Sequence, residues 1–414
     1  KGLIERGNRM VNAERLWNRI QELALIGQTK DNGVTRFSYT KEEHEANELV
    51  KRYMEEAGLE VSYDAIGNLI GSARGKEDLP AILLGSHIDT VPNGGKFDGS
   101  LGVLTAIEVM QSIQEQKVLL KHPVKVIAFK DEEGARFGFG LLGSRAVAGK
   151  LNDQDLDKKD EQGISIREAI KSQGYDPENI HKAKIEDVKA YIELHIEQGK
   201  VLENHDVPVG IVTGIAGPLW LKVRLEGEAE HAGATPMGQR KDPLVAASLI
   251  VAEIEKLASQ YPYAVATVGS LSLTPGGINV IPGSVEFTID IRDTSEEIRD
   301  RLEKEITDFA IQIGNEREIK VTIEELQRVS PVLCSEDIQT LIKESISELS
   351  IPIISLPSGA GHDAMQFNGL FPVGMIFVRS KDGISHNPKE FTAKADVQAG
   401  AETMFKTLVK LDHF

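Results

Sequence analysis

Apolar residues in the first part of the chain follow two periods. Short continuous runs at 81–86 and 124–129 predict strands that are buried on both faces. Apolar residues at every third or fourth position predict helices over 11–27 and 102–114. Thr40, followed by acidic residues, predicts the start of a further helix. Strands and helices that alternate in this way indicate an α/β sandwich.

The order of elements changes between residues 213 and 328. Successive patterns there predict strand, helix, two strands, helix and strand, at 219–226, 243–257, 266–273, 284–292, 296–313 and 320–325. This βαββαβ order is that of a ferredoxin-like unit. The α/β pattern then resumes. We therefore predict a discontinuous mixed-sheet α/β domain, residues 1–212 and 329–414, with an α+β domain inserted at 213–328.

Two other segments have a distinctive composition. Residues 151–190 are polar and charged, which predicts an excursion over the surface. The stretch 358–364 is rich in glycine, and we expect it to open a helix. Such a turn exposes backbone N–H groups and favours a bound anion.

Charge and composition exclude several classes of protein. The 414 residues carry a net charge of −17 at pH 7, which argues against a nucleic acid or an acidic membrane as partner. No apolar run approaches the roughly 20 residues of a membrane span. The single cysteine and the absence of an N-terminal signal pattern lead us to expect a cytoplasmic protein.

Candidate metal-binding and catalytic residues lie near the ends of the predicted strands. His87 and Asp89 alternate after the first buried strand, and Asp98 follows in a glycine-rich loop. Glu132 and Glu133 follow the next buried strand. Because strand ends are where open α/β sheets keep their sites, we expect these side chains to meet.

Two further histidines lie in similar positions. His195 ends an apolar strand pattern, and His386 lies in a loop before the last helix. Together with His87, Asp98 and Glu133 they form a set of imidazoles and carboxylates that suits Zn²⁺, Mn²⁺ or Co²⁺. Two such ions that share one carboxylate form a hydrolytic centre, but spacing alone leaves open which carboxylate bridges.

The loops of the inserted domain hold three short stretches in which polar and apolar residues are mixed, at 230–236, 276–282 and 290–293. The motifs of both domains occur in one order along the chain. They are His87-x-Asp89, Asp98-Gly99, Asp131-Glu132-Glu133-Gly134, and the stretches 194–199, 230–236, 359–363 and 384–388. In this order the chain resembles the M20 family of dinuclear metallo-amidohydrolases and peptidases. Within that family it is similar to the branch of N-carbamoyl-L-amino acid hydrolases, allantoate amidohydrolases and β-ureidopropionases.

The resemblance implies two divalent ions per subunit, Zn²⁺ or else Mn²⁺, Co²⁺ or Ni²⁺. One ion would be bound by His87 and His195 and the other by Glu133 and His386, and Asp98 would bridge them. The family resemblance also implies that Asp89 orients His87 and that Glu132 is the general base.

Substrate residues are implied in the same way. His231 would stabilise the oxyanion, and in this family such a histidine can come from the partner subunit of a dimer. Arg292 and Asn279 would hold a substrate carboxylate, and Gln198 and Gly361 would complete the pocket. The inserted domain would then serve as a lid and as the homodimer interface.

The same resemblance suggests the reaction. We expect a small ureido acid as substrate, and Trp220 favours N-carbamoyl-L-amino acids over allantoate because it suits an apolar side chain. The alternatives are an allantoate amidohydrolase, a β-ureidopropionase, and an M20 aminoacylase or dipeptidase. A non-catalytic binding protein would be a different class, but Glu132 and the five candidate ligands are all present.

Overall fold

The computed structural model describes residues 10–414, and over these residues the chain forms two compact units. The larger unit comprises residues 10–213, 334–356 and 362–414, and the smaller unit comprises residues 214–333 and 357–361. The helices are α1 (Ala13–Ala24), α2 (Lys41–Glu56), α3 (Ser100–Glu115), α4 (Leu142–Val147), α5 (Ile166–Ser172), α6 (Val201–Asn204), α7 (Pro243–Ala258), α8 (Glu296–Arg317), α9 (Glu336–Glu348) and α10 (Lys394–His413). The strands are β1 (Glu60–Tyr63), β2 (Leu69–Ala73), β3 (Ala81–His87), β4 (Val124–Phe129), β5 (Val188–Ile196), β6 (Val209–Ile215), β7 (Gly217–Glu226), β8 (Glu230–His231), β9 (Val265–Thr267), β10 (Leu271–Thr274), β11 (Val280–Ile281), β12 (Ser284–Asp293), β13 (Lys320–Arg328), β14 (Val332–Leu333), β15 (Ser355–Ser358) and β16 (Val373–Val378).

A mixed sheet with the order β1-β2-β4-β3-β5-β16-β6 forms the centre of the larger unit. β3 pairs in parallel with β4 on one side and β5 on the other, and β16 pairs in parallel with β5. β1, β2 and β6 pair antiparallel with their neighbours. Every residue of β3 is buried, which is why its sequence is one continuous apolar run.

Helices α1, α3 and α10 contribute to one apolar core with the sheet, including Leu16, Leu104 and Leu408. α2 begins where its sequence predicted, because the Thr40 hydroxyl accepts the Glu43 N–H at 3.3 Å. Of the helices within residues 10–414, none is both long enough and apolar enough to cross a membrane.

The predicted surface excursion at 151–190 was wrong in part. Leu156, Ile166 and Ile170 are fully buried, and they form a second, smaller core with residues such as Phe137 and Leu142. The charged residues between these apolar positions masked them in the sequence, because short helical turns leave only one or two positions each to face inward.

The smaller unit contains a sheet with the order β10-β12-β7-β13, and β9 also pairs with β12. Helices α7 and α8 pack on this sheet around a core that includes Leu221, Ile250, Phe287 and Leu302. The predicted strand at 266–273 is instead two short strands, β9 and β10, both paired with β12. A separate two-stranded sheet pairs β8 with β11.

The helix expected after the glycine-rich turn at 358–364 is a single 3₁₀ turn, Asp363–Phe367. Its Ala364 N–H donates to the buried carboxylate of Glu193 at 3.2 Å. A protein carboxylate therefore takes one of the N–H groups that the sequence suggested for a bound anion.

At Gly102 helix α3 lies close against the sheet, since a Cβ there would lie 2.2 Å from the Leu194 carbonyl oxygen. We expect Gly102→Ala to push α3 away and to lower the free energy of unfolding by about 1–3 kcal/mol, measured by urea denaturation. Gly269→Ala is the matched control, because no atom lies within 4 Å of its added Cβ. Equal stability of the two variants would show that this contact does not limit the packing.

Candidate metal centre

Three of the five candidate ligands lie at or just after the ends of parallel strands of the larger unit. His87 is the last residue of β3, His195 lies at the end of β5, and Glu133 follows β4. Asp98 precedes α3, and His386 lies in the loop before α10. The site thus forms at the carboxyl edge of the sheet, as expected for an α/β fold.

The carboxylate of Asp98 lies at the centre of this group. Its Oδ1 is 3.1 Å from Nε2 of His195 and 3.6 Å from Nε2 of His87. Its Oδ2 is 3.1 Å from Nε2 of His386. The two oxygens of one buried carboxylate therefore face different histidines.

Two glutamates complete the cluster. Oε1 of Glu133 lies 3.4 Å from Nε2 of His386, and Oε2 of Glu132 lies 3.6 Å from Nε2 of His87. Within residues 10–414, three sets of possible ligand atoms lie within 4.8 Å of one another: His87 with Asp98 and His195, His87 with Glu132 and Glu133, and Asp98 with Glu133 and His386. The sequence-predicted residues of the larger unit thus meet at one place.

Backbone carbonyl groups hold the rings of two histidines. Nδ1 of His87 lies 3.0 Å from the Asp89 carbonyl oxygen, and Nδ1 of His195 lies 2.9 Å from that of Ile196. A carbonyl only accepts, so each Nδ1 carries the proton. Each ring then turns its Nε2 toward Asp98, and this is the nitrogen left to bind an ion.

Asp89 contacts both His87 and the turn after β4. Its carbonyl group holds His87, whereas its carboxylate accepts the N–H groups of Glu132 and Glu133, both at 3.1 Å. The carboxylate is 3.6 Å from Nδ1 of His87. Asp89 therefore fixes the turn after β4 as well as the ring at the end of β3.

Burial and charge shift the proton affinities in the cluster. Burial alone would raise the pKa of Asp98, but hydrogen bonds from three histidine rings outweigh it and hold that pKa well below its ordinary value. Burial raises the pKa of Glu132 well above its ordinary value, with Glu133 adding to the effect and His87 opposing it. A nearby cation would relieve this repulsion between buried carboxylates.

Two candidate residues of the smaller unit lie on or beside the paired strands β8 and β11. His231 ends β8, and its Nδ1 accepts the N–H groups of Gly233 at 3.0 Å and Ala234 at 3.2 Å. The carbonyl of Asn279, next to β11, accepts the Ala232 N–H at 3.0 Å. Because Nδ1 is an acceptor, Nε2 of His231 carries the proton and is a donor.

Arg292 is oriented by its own strand. Its Nε and Nη2 donate to the two carboxylate oxygens of Asp290 at 3.0 and 2.9 Å, and its Nη1 donates to the Gly359 carbonyl at 2.9 Å. These bonds use three of five guanidinium donors and leave one on each terminal nitrogen.

Trp220, 39% exposed, lies opposite Asp290 on β7, and Gly361 follows Gly359 by two positions.

Gln198 lies beside the cluster in the larger unit. Its Nε2 is 3.2 Å from Oδ2 of Asp98 and 2.9 Å from Oγ of Ser385. Its backbone has a φ of +59°, which turns the chain sharply after β5. This residue therefore supports Asp98 directly, a contact that the sequence did not indicate.

The sequence matches the profile of Peptidase family M20/M25/M40 over residues 83–410. The protein belongs to this family. An N-carbamoyl-L-amino acid amidohydrolase of Geobacillus stearothermophilus is 51% identical over 405 residues, which cover 97% of this chain and 99% of that protein. The allantoate amidohydrolase of Bacillus subtilis is 37% identical over 395 residues, which cover 95% of this chain and 96% of that protein.

Solved structures give the same family context. The crystal structure of an amidase of the hydantoinase/carbamoylase family from Burkholderia multivorans matches with a TM-score of 0.91 and 32% sequence identity. The match covers 97% of this chain and 98% of that chain. The fold is therefore that of M20 family members over nearly the whole length of both chains.

The cluster in this M20 family member has the chemistry of a divalent cation site. Histidine nitrogens and carboxylate oxygens converge within a few ångströms in a largely buried place. Mixed imidazole and carboxylate donors suit first-row divalent ions. Several carboxylates buried together also need a compensating positive charge.

His362, to which the sequence analysis gave no role, packs beside the cluster. His362 is 1% exposed, and its ring packs edge-on against that of His195, with centroids 4.5 Å apart at 62°. Burial, with the neighbouring His195, lowers the pKa of His362 well below its ordinary value. A neutral ring at this place supports the orientation of His195 from behind.

We expect a divalent ion to stabilise the metal-stripped protein through Asp98. An ion at 100 times its dissociation constant would add about 2.7 kcal/mol, seen as a higher Tm with Zn²⁺, Mn²⁺ or Co²⁺. Asp98→Asn removes the central charge and should abolish this increase, whereas Asp78→Asn, at an exposed position, should retain it. The same increase in Asp98→Asn as in wild type would place ion binding elsewhere.

Proposed function

We propose that the protein is a metal-dependent amidohydrolase that cleaves the ureido C–N bond of N-carbamoyl-L-amino acids. Cleavage of this bond leaves a carbamate that breaks down without further catalysis, so that the final products are the free amino acid, ammonia and carbon dioxide. The observation that carries the proposal is the cluster around Asp98, in which histidines face both carboxylate oxygens and Glu132 lies alongside. Family membership and the 51% identical relative support the choice of an amide substrate.

Two divalent ions per subunit would be held by the five ligands. His87 and His195 face Oδ1 of Asp98, whereas His386 faces Oδ2 and Glu133, so that Asp98 is suited to bridge two positions. Zn²⁺, Mn²⁺, Co²⁺ and Ni²⁺ all accept such donors. When bound, such ions polarise the carbonyl group and make water more acidic.

Glu132 is the general base of the proposed reaction. Its carboxylate lies at the edge of the cluster, and its backbone N–H is anchored by Asp89. It takes a proton from the attacking water and returns that proton to the leaving nitrogen. Positioned acid–base groups of this kind contribute about 10²–10⁴-fold to the rate.

His231 would stabilise the oxyanion. Two backbone N–H groups bind its Nδ1, so the proton on Nε2 is available for a developing negative charge. By family resemblance, this histidine can be supplied by the partner subunit. We accordingly propose a homodimer formed through the smaller unit, which would act as a lid, in a cytoplasmic enzyme.

The substrate carboxylate would bind Arg292. The bonds to Asp290 and Gly359 leave two donors on its terminal nitrogens, a number that matches the two oxygens of a carboxylate. Asn279 and Gly361 would add polar contacts, and Gln198 is a further candidate substrate residue.

Trp220 supports an amino-acid substrate over allantoate. Its partly exposed ring lies on the sheet face that also carries Asp290 and Arg292, so an apolar side chain could rest near the bound carboxylate. Allantoate has a second ureido group there, which an indole ring serves poorly. Allantoate hydrolysis remains the second candidate, supported by the 37% identical relative. Cleavage of N-carbamoyl-β-alanine, acyl-amino acids or dipeptides has less support.

The first test is ammonia release by metal-stripped protein reloaded with Zn²⁺, Mn²⁺ or Co²⁺. We expect metal-dependent turnover of N-carbamoyl-L-methionine, and little with its D-isomer, N-carbamoyl-β-alanine or allantoate. The primary amide of N-carbamoyl-L-methionine lacks the carboxylate and should show a much higher KM. Preferred turnover of allantoate would overturn the substrate assignment, and no turnover of any ureido compound would overturn the function.

Glu132→Gln should lower kcat by at least about 10²-fold, because an amide cannot take up the proton. Metal content should stay at the wild-type level, since the five ligands are unchanged, and elemental analysis would check it. Glu45→Gln on the exposed face of α2 serves as a control with the same chemical change. A variant that keeps wild-type kcat would exclude Glu132 as the base.

A further inference from the structure

Glu390 is a buried acidic residue that none of the steps above uses. It follows His386 by four positions and is 2% exposed. One oxygen, Oε1, accepts the backbone N–H groups of Phe97 and Asp98, both at 2.9 Å. A single carboxylate oxygen thus holds the backbone at the central residue of the cluster.

The other oxygen of Glu390 holds the second loop. Oε2 accepts the hydroxyl of Ser385 at 2.8 Å, and Ser385 directly precedes His386. The Ser385 Oγ lies 3.5 Å from Oδ2 of Asp98 and 2.9 Å from Nε2 of Gln198. The two oxygens of Glu390 therefore connect the loop of Asp98 with the loop of His386.

We propose that Glu390 is a positioning residue that sets the spacing between Asp98 and His386. The inference rests on the proposed function, because it assigns Glu390 to the metal centre of that function. The hydrogen bonds of Glu390 go to neither the carboxylate of Asp98 nor the ring of His386. It acts on the backbone at Asp98 and through Ser385, which is how outer residues orient metal ligands.

The glycine-rich loop before Asp98 has a matching feature. A Cβ on Gly95 would lie 2.1 Å from Cδ and Oε1 of Glu390, so any side chain there would displace the carboxylate. The φ of Gly95 is not in the left-handed region, so backbone freedom does not explain this glycine. Its role is to leave room for Glu390.

Three aromatic rings pack together beside Glu390 and the loop of Asp98. The rings of Phe97 and Phe391 meet edge to face, with centroids 6.0 Å apart at 86°, and Trp17 packs against both. Phe97 directly precedes Asp98 in the chain, and Phe391 directly follows Glu390. Glu390 itself is buried beside these rings, and a hydrogen bond in a buried place is stronger than one in water.

The test measures ion affinity of the metal-stripped full-length protein by calorimetry with Mn²⁺ and Co²⁺. Glu390→Ala removes the acceptor of three donors and should weaken binding about 10–100-fold. Glu390→Gln keeps an oxygen for the two backbone groups and should lie closer to wild type. Glu45→Ala, at an exposed position, is the control for the first substitution.

Gly95→Ala keeps the test informative if Glu390→Ala does not fold. It removes no polar group but displaces the carboxylate, so it should weaken ion binding in the same direction, whereas Gly269→Ala should not. The Tm of each metal-free variant measures any general loss of stability. For Glu390→Gln and Gly95→Ala we expect a lower kcat with little change in KM, because substrate contacts are untouched.

The outcomes separate this inference from the proposed function. Wild-type ion affinity in folded Glu390→Ala and Gly95→Ala would overturn the positioning role, even where wild type hydrolyses N-carbamoyl-L-methionine. Weaker binding in both variants, with wild type inactive on every ureido compound, would uphold the positioning role and overturn the proposed function. A loss of Tm without a loss of affinity would make Glu390 a structural residue only, and would also overturn the inference.

Discussion

The carboxylate of Asp98 is the interaction on which the site depends. It is buried, it lies within 3.1 to 3.6 Å of three imidazole nitrogens, and those nitrogens belong to elements that are far apart in sequence. A charge in such a place is costly unless several partners surround it. The strand ends, the turn after β4 and the loop before α10 must therefore all be in position together.

Glycine makes this close packing possible at one further point. Gly99 has a φ of +64°, and a Cβ there would lie 2.4 Å from the ring of His87. The residue therefore lets the chain turn from Asp98 into α3 while the ring passes directly against the backbone. A side chain at this position would separate two of the candidate ligands.

Much of the fold and of the cluster follows from local sequence. The buried strands β3 and β4 and the cap at Thr40 were predicted because continuous apolar runs and capping residues act locally. The backbone contacts that support the cluster were not predicted. The carbonyl that holds His87 carries no side-chain signal, and the role of Glu390 depends on backbone groups 292 residues away along the chain.

That separation has a consequence for how the protein is made. The N–H groups of Phe97 and Asp98 leave the ribosome long before the carboxylate that accepts them. Until the segment with His386 and Glu390 follows, the loop before α3 has neither its acceptor nor its third imidazole. We therefore infer that strands β1 to β5 can pair early during synthesis, whereas β16 and the complete set of five candidate ligands are added late. The position that includes His386 would thus be the last part of the site to assemble.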